Sequence, residues 1–182
     1  MKIAILGSGG REHALAVQIS KSKKLDKIYC IPGNAGTNFI GKNINLNLDN
    51  FNEIYNFLKD EQIELVIVGP EKPLVDGIVN YLEKKNIKVF GPNQKVSQLE
   101  GSKIFTKRIC KKYNIPTAEF GIFKNKDDTF EFLKNRKMPL VIKADGLAAG
   151  KGVYICKDME SSKKAVVEIF DGKFGRADHI LV

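Results

Sequence analysis

The chain has 182 residues, of which 43% are hydrophobic and 28% charged, a balance typical of a folded globular protein. Its formal net charge is +9, but lysine supplies most of the positive charge and there are four arginines, with no arginine-rich run. We therefore expect no nucleic-acid partner, because a basic cleft for small phosphorylated ligands explains the charge better. No apolar run approaches the ~20 residues that a membrane helix needs, so no membrane partner is expected.

The three cysteines, Cys30, Cys110 and Cys156, show neither paired nor metal-ligand spacing. This favours reduced, inert thiols in a reducing compartment, and hence a cytoplasmic protein. The apolar N-terminal run is broken at Gly7, too early for a signal peptide.

Short apolar runs alternate with amphipathic stretches over residues 1–101. Near-continuous apolar strands between helices indicate a parallel sheet covered on both faces. We therefore predict a doubly wound, Rossmann-like α/β domain over 1–101. Its predicted elements, in chain order, are strand Lys2–Leu6, helix Arg11–Lys21, strand Lys27–Ile31, a helix through Phe51–Leu58, strand Glu64–Val68, one helix through Leu74–Leu82 and strand Ile87–Phe90.

The alternation of apolar runs and amphipathic stretches changes after Gly101, which predicts a second, small α+β domain over 102–182. The final residues, Ile180–Val182, read as the start of a buried strand, so the chain is expected to be part of a longer protein. The predicted elements are a helix capped by Ser102 and running to Tyr113, strand Ala118–Phe123, a helix begun by Asp127, strands Leu140–Lys143 and Val153–Cys156, a helix through Ala165–Phe170 and a strand near His179.

Glycine-containing loops follow several predicted strands of the first domain. They are Gly7–Gly10, Pro32–Thr37, Gly69–Glu71 and Gly91–Asn93. Because open α/β sheets bind ligands at the carboxyl ends of their strands, these four loops predict one binding site on one edge.

The first loop, Gly7–Gly10, stands where a dinucleotide-binding fold keeps its phosphate loop. Glu12 stands where that fingerprint has a third Gly or Ala, and no acidic residue follows the second strand to hold a ribose, which argues against NAD. Arg11 beside the loop suits a single phosphate monoester instead. The alternative is an ordinary tight strand–helix turn. His13 is read as a packing residue rather than a general base, and Glu71 either binds a ligand or caps the helix that follows.

The run Leu140–Val153 contains a second constellation, in which a strand ends in Lys143 and a small-residue loop with Gly150, Lys151 and Gly152 leads into the next strand. It is not a Walker loop, because no helix and no Ser or Thr follows Lys151. A glycine loop between antiparallel strands can instead fold over a triphosphate, with the two lysines offsetting phosphate charge. The alternative is a mobile hairpin.

Six runs in this order together resemble the ATP-grasp family of phosphoribosylamine–glycine ligases, or glycinamide ribonucleotide synthetases, over the whole chain. They are Gly9–Leu15, Pro32–Thr37, Val68–Glu71, Leu99–Lys103, Ile115–Ala118 and Ile142–Gly152.

The resemblance implies a pre-ATP-grasp domain that binds 5-phosphoribosylamine, followed by part of an ATP-grasp domain, its lid subdomain. The implied reaction joins glycine to phosphoribosylamine in purine biosynthesis, with ATP cleaved to ADP and phosphate, by a monomer that also uses Mg²⁺. No metal ligand is expected in this chain, because the family's magnesium ligands come later, so the piece by itself is expected to be inactive.

Catalytic roles fall to Lys143 and Lys151. Nucleotide-binding roles fall to Lys103, Lys143, Gly150, Lys151 and Gly152. Substrate-binding roles fall to Gly9, Gly10, Arg11, Glu12, Asn34, Gly69, Pro70 and Glu71.

Two other functions stay open from the residues. A sibling ATP-grasp carboxylate–amine ligase would share the glycine–lysine loop, although not the runs at Gly9–His13 and Pro32–Thr37. A non-catalytic module that binds a nucleotide or phosphate belongs to a different class of protein altogether.

Overall fold

The computed structural model describes residues 1–147, 151–175 and 178–182. The chain divides into two compact units, Met1–Ser97 and Gln98–Val182. Within the described residues, no helix is both long and apolar enough to cross a membrane.

The first unit is built on a five-stranded parallel sheet in the order β3-β2-β1-β4-β5. Its strands are β1 (Lys2–Gly7), β2 (Lys27–Pro32), β3 (Lys42–Asn43), β4 (Leu65–Val68) and β5 (Val89–Phe90). This is a doubly wound sheet, as the sequence predicts.

Helices cover both faces of this sheet because successive strand side chains point to opposite sides. Ala4 and Leu6 of β1 belong to a large cluster with Ile54 and Leu82, while Ile3 packs in a second cluster with residues of the other face. The helices are α1 (Gly10–Ser20), α2 (Phe51–Asp60), α3 (Glu71–Asp76) and α4 (Ile78–Glu83), and a single 3₁₀ turn covers Thr37–Phe39.

The prediction of one continuous helix through Leu74–Leu82 was wrong, because Gly77 separates α3 from α4. Its φ of 97° lies in the left-handed region, where glycine ends a helix without steric strain. The apolar spacing on either side of the break still faces the core, so the periodicity alone did not reveal it.

The second unit contains an antiparallel sheet in the order β6-β9-β7-β8. The boundary between the units falls within α5 (Gln94–Gly101), a helix that the sequence reading did not predict. The remaining elements are α6 (Lys103–Lys112), β6 (Ile122–Phe123), α7 (Lys126–Lys134), β7 (Leu140–Ala144), β8 (Val153–Cys156), α8 (Met159–Phe170) and β9 (Ile180–Leu181).

Side-chain caps fix where the helices of this unit begin. Ser102 accepts from the backbone of Phe105 at the start of α6, as predicted, and Asn125 and Asp158 cap α7 and α8 in the same way. One sheet face packs on α7 and α8 through residues such as Ile142, Val166 and Ile180. The prediction of a strand over Ala118–Phe123 was too long, because only Ile122–Phe123 pairs with β9.

Candidate functional site

The carboxyl ends of the parallel strands lie on one edge of the first unit, and backbone hydrogen bonds join the loops that follow them. Gly33 donates to the carbonyl of Gly7 at 3.2 Å, and Gly69 donates to the carbonyl of Leu6 at 3.1 Å. The loops after β1, β2 and β4 are therefore neighbours, which is what a shared site at this edge requires.

Glu12 is the central side chain of this edge. It is 4% exposed, and its Oε2 accepts from the backbone N–H of Gly9 at 2.6 Å, at the start of α1. Its Oε1 is also buried and has no hydrogen-bond partner among the residues that the structure describes. A buried carboxylate oxygen normally has a partner, so Oε1 is a candidate acceptor for a hydroxyl or an amine.

Three glycines make room for this carboxylate. A Cβ atom would lie 2.6 Å from the Glu12 Cγ if built on Gly7, 2.8 Å from Oε2 on Gly9 and 2.6 Å from Cδ on Gly69. At Gly10 a Cβ would have nothing within 4 Å. The glycines at 7, 9 and 69 therefore serve the packing of Glu12, whereas Gly10 leaves its backbone open to the outside.

Arg11 and Glu71 form an ion pair at the rim of the same edge. Nη2 of Arg11 donates to Oε1 of Glu71 at 2.6 Å, and the two side chains are 70% and 40% exposed. This hydrogen bond lowers the pKa of Glu71, with smaller contributions from a backbone hydrogen bond and from the charge of Arg11. The rim therefore presents an ionised carboxylate beside a guanidinium.

Asn34 holds the second loop against the first. Its Nδ2 donates to the carbonyl of Ser8 at 2.8 Å, and its Oδ1 accepts from the backbone of Thr37 at 3.0 Å. The buried Thr37 hydroxyl accepts from the backbone of Asn34 at 2.8 Å, and Asn43 donates to the Asn34 carbonyl at 2.7 Å. A contact between Asn34 and a substrate stays a prediction, because in this structure its amide joins the two loops.

His13 also has a packing position. A Cβ atom built on Gly36 would lie 2.7 Å from Nδ1 of His13, so the ring lies directly against the Gly36 backbone. Because Gly36 has no side chain, the imidazole of His13 on α1 can lie close to the second loop.

In the second unit, one face of the β7–β8 hairpin carries both apolar and cationic side chains. Val141 lies opposite Ile155, and Lys143 lies opposite Val153. Val141 and Ile155 are 39% and 73% exposed, while the alternate residues of β7 face the core. The backbone of Ala144 donates to the carbonyl of Gly152 at 2.9 Å, which closes the described part of the hairpin. The predicted nucleotide-binding residue Gly150 lies outside the described residues, and Lys151 beside it is exposed.

Lys103 of α6 lies close to the end of β7. Its Nζ donates to the carbonyl of Gly146 at 2.8 Å. Burial lowers the pKa of Lys103; the charges of Asp145 and Glu100 raise it, and that of Lys143 lowers it. The charge of Lys143 thus opposes the ammonium form of Lys103.

An open cavity of about 470 Å³ adjoins the same end of β7 within the second unit. Its walls include Asp145 and the cationic or titratable residues Arg108, Lys124 and His179. Across the described residues, no group of three or more His, Cys, Asp and Glu side chains is arranged to hold a metal ion.

Sequence reasoning did not identify the contact between Ser102 and Asp145, in which the hydroxyl donates to Oδ2 at 2.9 Å. The two residues are 43 positions apart. A sequence pattern relates residues that are near each other along one element. This contact joins residues far apart in the chain, so it is seen only once α6 is placed beside the end of β7.

A doubly wound sheet followed by a helix-backed antiparallel hairpin defines an ATP-grasp type of architecture. The family described as "Phosphoribosylglycinamide synthetase, N domain" matches residues 1–100, and "Phosphoribosylglycinamide synthetase, ATP-grasp (A) domain" matches residues 101–182. The chain belongs to the phosphoribosylglycinamide synthetase family, which confirms the resemblance carried by the six sequence runs.

Individual relatives agree with this assignment. The chain is 50% identical over 166 residues to a phosphoribosylamine–glycine ligase of Clostridium acetobutylicum, an alignment that covers 91% of this chain and 40% of that protein. The crystal structure of a phosphoribosylamine–glycine ligase from Thermotoga maritima superposes with a TM-score of 0.81 at 33% identity, covering 100% of this chain and 43% of the other.

A more distant structure shares the fold alone. It is N5-carboxyaminoimidazole ribonucleotide synthetase from Thermus thermophilus, with a TM-score of 0.69 at 21% identity, covering 98% of this chain and 46% of the other. The chain thus spans about 40% of the length of the curated relatives that it matches.

Proposed function

We propose that the chain supplies the phosphoribosylamine-binding domain (1–101) and the first part of the ATP-grasp domain (102–182) of a phosphoribosylamine–glycine ligase. The complete enzyme joins glycine to 5-phosphoribosylamine and releases glycinamide ribonucleotide, ADP and phosphate. Family membership over the whole chain supports this assignment.

The nucleotide part of the proposal is carried by the position of Lys103, whose Nζ donates to the carbonyl of Gly146, just beyond the end of the strand that carries Lys143. The charge of Lys143 lowers the pKa of Lys103, which burial already lowers. Placing two ammonium groups together is unfavourable unless an anion joins them, and the phosphates of ATP are such an anion. The hairpin beyond Lys143 adds Lys151 and, by resemblance, the backbone N–H groups of Gly150 and Gly152.

The outer face of the hairpin fits the other end of a nucleotide. Val141 and Ile155 are exposed side by side on the face that carries Lys143. An aromatic base covering these two side chains would remove apolar surface from water at roughly 25 cal/mol per Å². The base therefore lies on the apolar pair, and the phosphates extend toward the lysines.

The edge of the first unit supports binding of the amino sugar phosphate. We assign Oε1 of Glu12, which has no partner among the described residues, as acceptor for a ribose hydroxyl or the amine, and Arg11 with the backbone at Gly10 as the group that binds the phosphate; the ion pair of Arg11 with Glu71 and the open space at Gly10 support this assignment. Glu71 shares the charge of Arg11, so binding of a phosphate replaces or extends that ion pair. Gly69 and Pro70 shape the turn that places Glu71 at the rim.

The chemistry needs positioning and charge neutralisation more than a protein nucleophile. The carboxylate of glycine attacks the γ-phosphorus of ATP, giving glycyl phosphate and ADP; the amine of phosphoribosylamine then attacks the acyl carbon and releases phosphate and a proton. Lys103, Lys143 and Lys151 stabilise the charge on the transferred group. When bound, magnesium would supply further charge neutralisation in this type of reaction, and the described residues offer no donor cluster for it.

Two substitutions in the complete enzyme test separately the proposed binding of phosphoribosylamine and the proposed binding of ATP. Arg11→Ala is expected to raise the Michaelis constant for phosphoribosylamine roughly tenfold or more while sparing that for ATP, since it removes a charge-assisted contact. Lys143→Ala is expected to impair ATP use and spare phosphoribosylamine binding. Steady-state kinetics with each substrate varied in turn measures both.

Arg136→Ala and Lys163→Ala are matched controls, because both positions lie outside the proposed site and both changes remove one positive charge. An unchanged Michaelis constant for phosphoribosylamine in Arg11→Ala would remove Arg11 from the site, and normal ATP kinetics in Lys143→Ala would refute the nucleotide assignment. ATP use that ignores glycine would instead favour a sibling ATP-grasp ligase, and nucleotide binding without turnover would favour a binding module.

A further inference from the structure

Asp145, the first residue after β7, joins the end of that strand to the beginning of α6. Its Oδ2 accepts from the Ser102 hydroxyl at 2.9 Å, and its Oδ1 accepts from the backbone N–H of Ile104 at 3.2 Å. The Ser102 oxygen accepts in turn from the backbone of Phe105 at 3.0 Å. Asp145 therefore accepts from a free backbone N–H in the first turn of α6, although it lies far from this helix in the sequence. The dipole of α6 favours a negative charge at this end of the helix.

A second contact runs in the opposite direction between the same two segments. Lys103, which lies between Ser102 and Ile104, donates its Nζ to the carbonyl of Gly146, the neighbour of Asp145. The carboxylate thus binds the Ser102 hydroxyl on one side of Lys103 and the Ile104 backbone on the other, while the lysine binds the backbone carbonyl of the residue that follows the carboxylate. These reciprocal bonds link the start of α6 to the two residues that follow β7, the strand that carries Lys143.

We propose that Asp145 is a positioning residue of the nucleotide site, which fixes Lys103 relative to the end of β7 and balances the charge of Lys103 when no phosphate is bound. This inference rests on the proposed function only in taking a nucleotide phosphate as the partner of Lys103. Asp145 itself contacts no phosphate in this arrangement, because its oxygens are directed at Ser102 and Ile104.

The charges around Lys103 give this proposal a measurable consequence. Burial and Lys143 favour the neutral amine, whereas Asp145 and Glu100 favour the ammonium. Arg108, Lys124 and His179 line the cavity beside Asp145 and add positive charge on that side when protonated. Asp145 is thus a major opposing charge, and its neutralisation lowers the pKa of Lys103.

The sign of the effect on activity follows directly. A lysine binds phosphate as the ammonium form, so ATP binding weakens as the pH rises through the pKa of Lys103. Removing the Asp145 charge lowers that pKa, so the alkaline loss of ATP binding moves to lower pH. If Asp145 had only a structural role, its substitution would lower the stability of the protein without changing the pH at which ATP binding is lost.

The test uses Asp145→Asn, which keeps a side-chain oxygen of the same reach but removes the charge. The matched control is Asp127→Asn, which makes the same change in the first turn of α7. The first measurement is an NMR titration of the Lys103 ammonium in this chain without nucleotide, from neutral pH to beyond about pH 10. The second is the pH profile of kcat/KM for ATP in the complete enzyme, with kcat and KM separated.

Asp145→Asn is expected to lower the titration midpoint of Lys103, to move the alkaline limb for ATP to lower pH and to raise the KM for ATP roughly tenfold, with kcat less affected. Asp127→Asn is expected to change none of these. An unchanged Lys103 midpoint in a folded Asp145→Asn protein would overturn the inference, and so would a lowered midpoint with an unaltered ATP profile. If neither the unsubstituted enzyme nor the Asp127→Asn control consumes ATP, the proposed function itself fails. A failure of the inference about Asp145 differs from this, because the unsubstituted enzyme and the control then still consume ATP.

Discussion

At the scale of single residues, the packing of Glu12 explains glycines that a phosphate-loop reading assigns to ligand binding. Its carboxylate occupies space that side chains at positions 7, 9 and 69 would fill. Glycine at these positions therefore makes room for the Glu12 carboxylate, whose Oε1 has no hydrogen-bond partner among the described residues. Under the proposed function, the same group that holds the loop also contacts the substrate.

Gly69→Ala tests this packing. A Cβ there would overlap the Glu12 side chain, so we expect a loss of about 1–3 kcal/mol in the free energy of unfolding, measured by urea denaturation. Gly10→Ala is the control, because its Cβ meets nothing within 4 Å and alanine favours a helix start. Adding Glu12→Ala to Gly69→Ala should relieve the overlap, giving a non-additive pair. Equal stability of the two alanine variants would contradict the packing account.

Sequence reasoning singled out Arg11, Glu12, Glu71 and Lys103 as candidates, but it did not predict the contacts that these residues make. The pattern Gly7–His13 predicts a loop and a helix start, because those properties depend on neighbouring residues. The ion pair between Arg11 and Glu71 and the link between Ser102 and Asp145 join residues 60 and 43 positions apart, so they depend on how the elements pack.

At the scale of elements, the second loop of the first unit is held by a small polar network. Thr37 is fully buried, accepts from the backbone of Asn34 at 2.8 Å and lies 2.7 Å from Oδ1 of Asn43. These hydrogen bonds hold the loop from its buried side, and Asn34 joins it to the first loop. The network thus supports the edge that is proposed to bind phosphoribosylamine.

Thr37→Val keeps the shape of this side chain and removes its hydroxyl. We expect a loss of about 1–3 kcal/mol in the free energy of unfolding, since buried polar groups of Asn34 and Asn43 lose a partner. Thr37→Ser keeps the hydroxyl and should retain more of the stability, which thermal or urea unfolding can compare. A valine variant as stable as the parent would mean that the network contributes nothing to the fold.

The prediction of elements succeeded where burial dictates the pattern and failed where local backbone conformation decides. Near-continuous apolar strands such as Leu65–Val68 are buried on both faces, which leaves little alternative to a central parallel strand. The break at Gly77 depends on a positive φ, and the helix Gln94–Gly101 has a weakly apolar sequence, so neither is apparent from hydrophobic spacing.

At the scale of the whole molecule, the chain contains two units with complementary chemistry. Under the proposed function, the first supplies a carboxylate and an arginine for a sugar phosphate, and the second supplies lysines and an apolar face for a nucleotide. A ligase that joins an amino sugar phosphate to a carboxylate activated by ATP needs both sets of groups. Because the chain spans about 40% of the length of its curated relatives, turnover is tested in the complete encoded protein.

The most direct test of the ligase proposal is the release of ADP by that complete protein, measured with ATP, glycine and phosphoribosylamine together and with each acceptor omitted in turn. The proposal predicts rapid ADP release only when glycine and phosphoribosylamine are both present, together with formation of glycinamide ribonucleotide. ADP release that does not depend on glycine, or no ADP release at all, would contradict it.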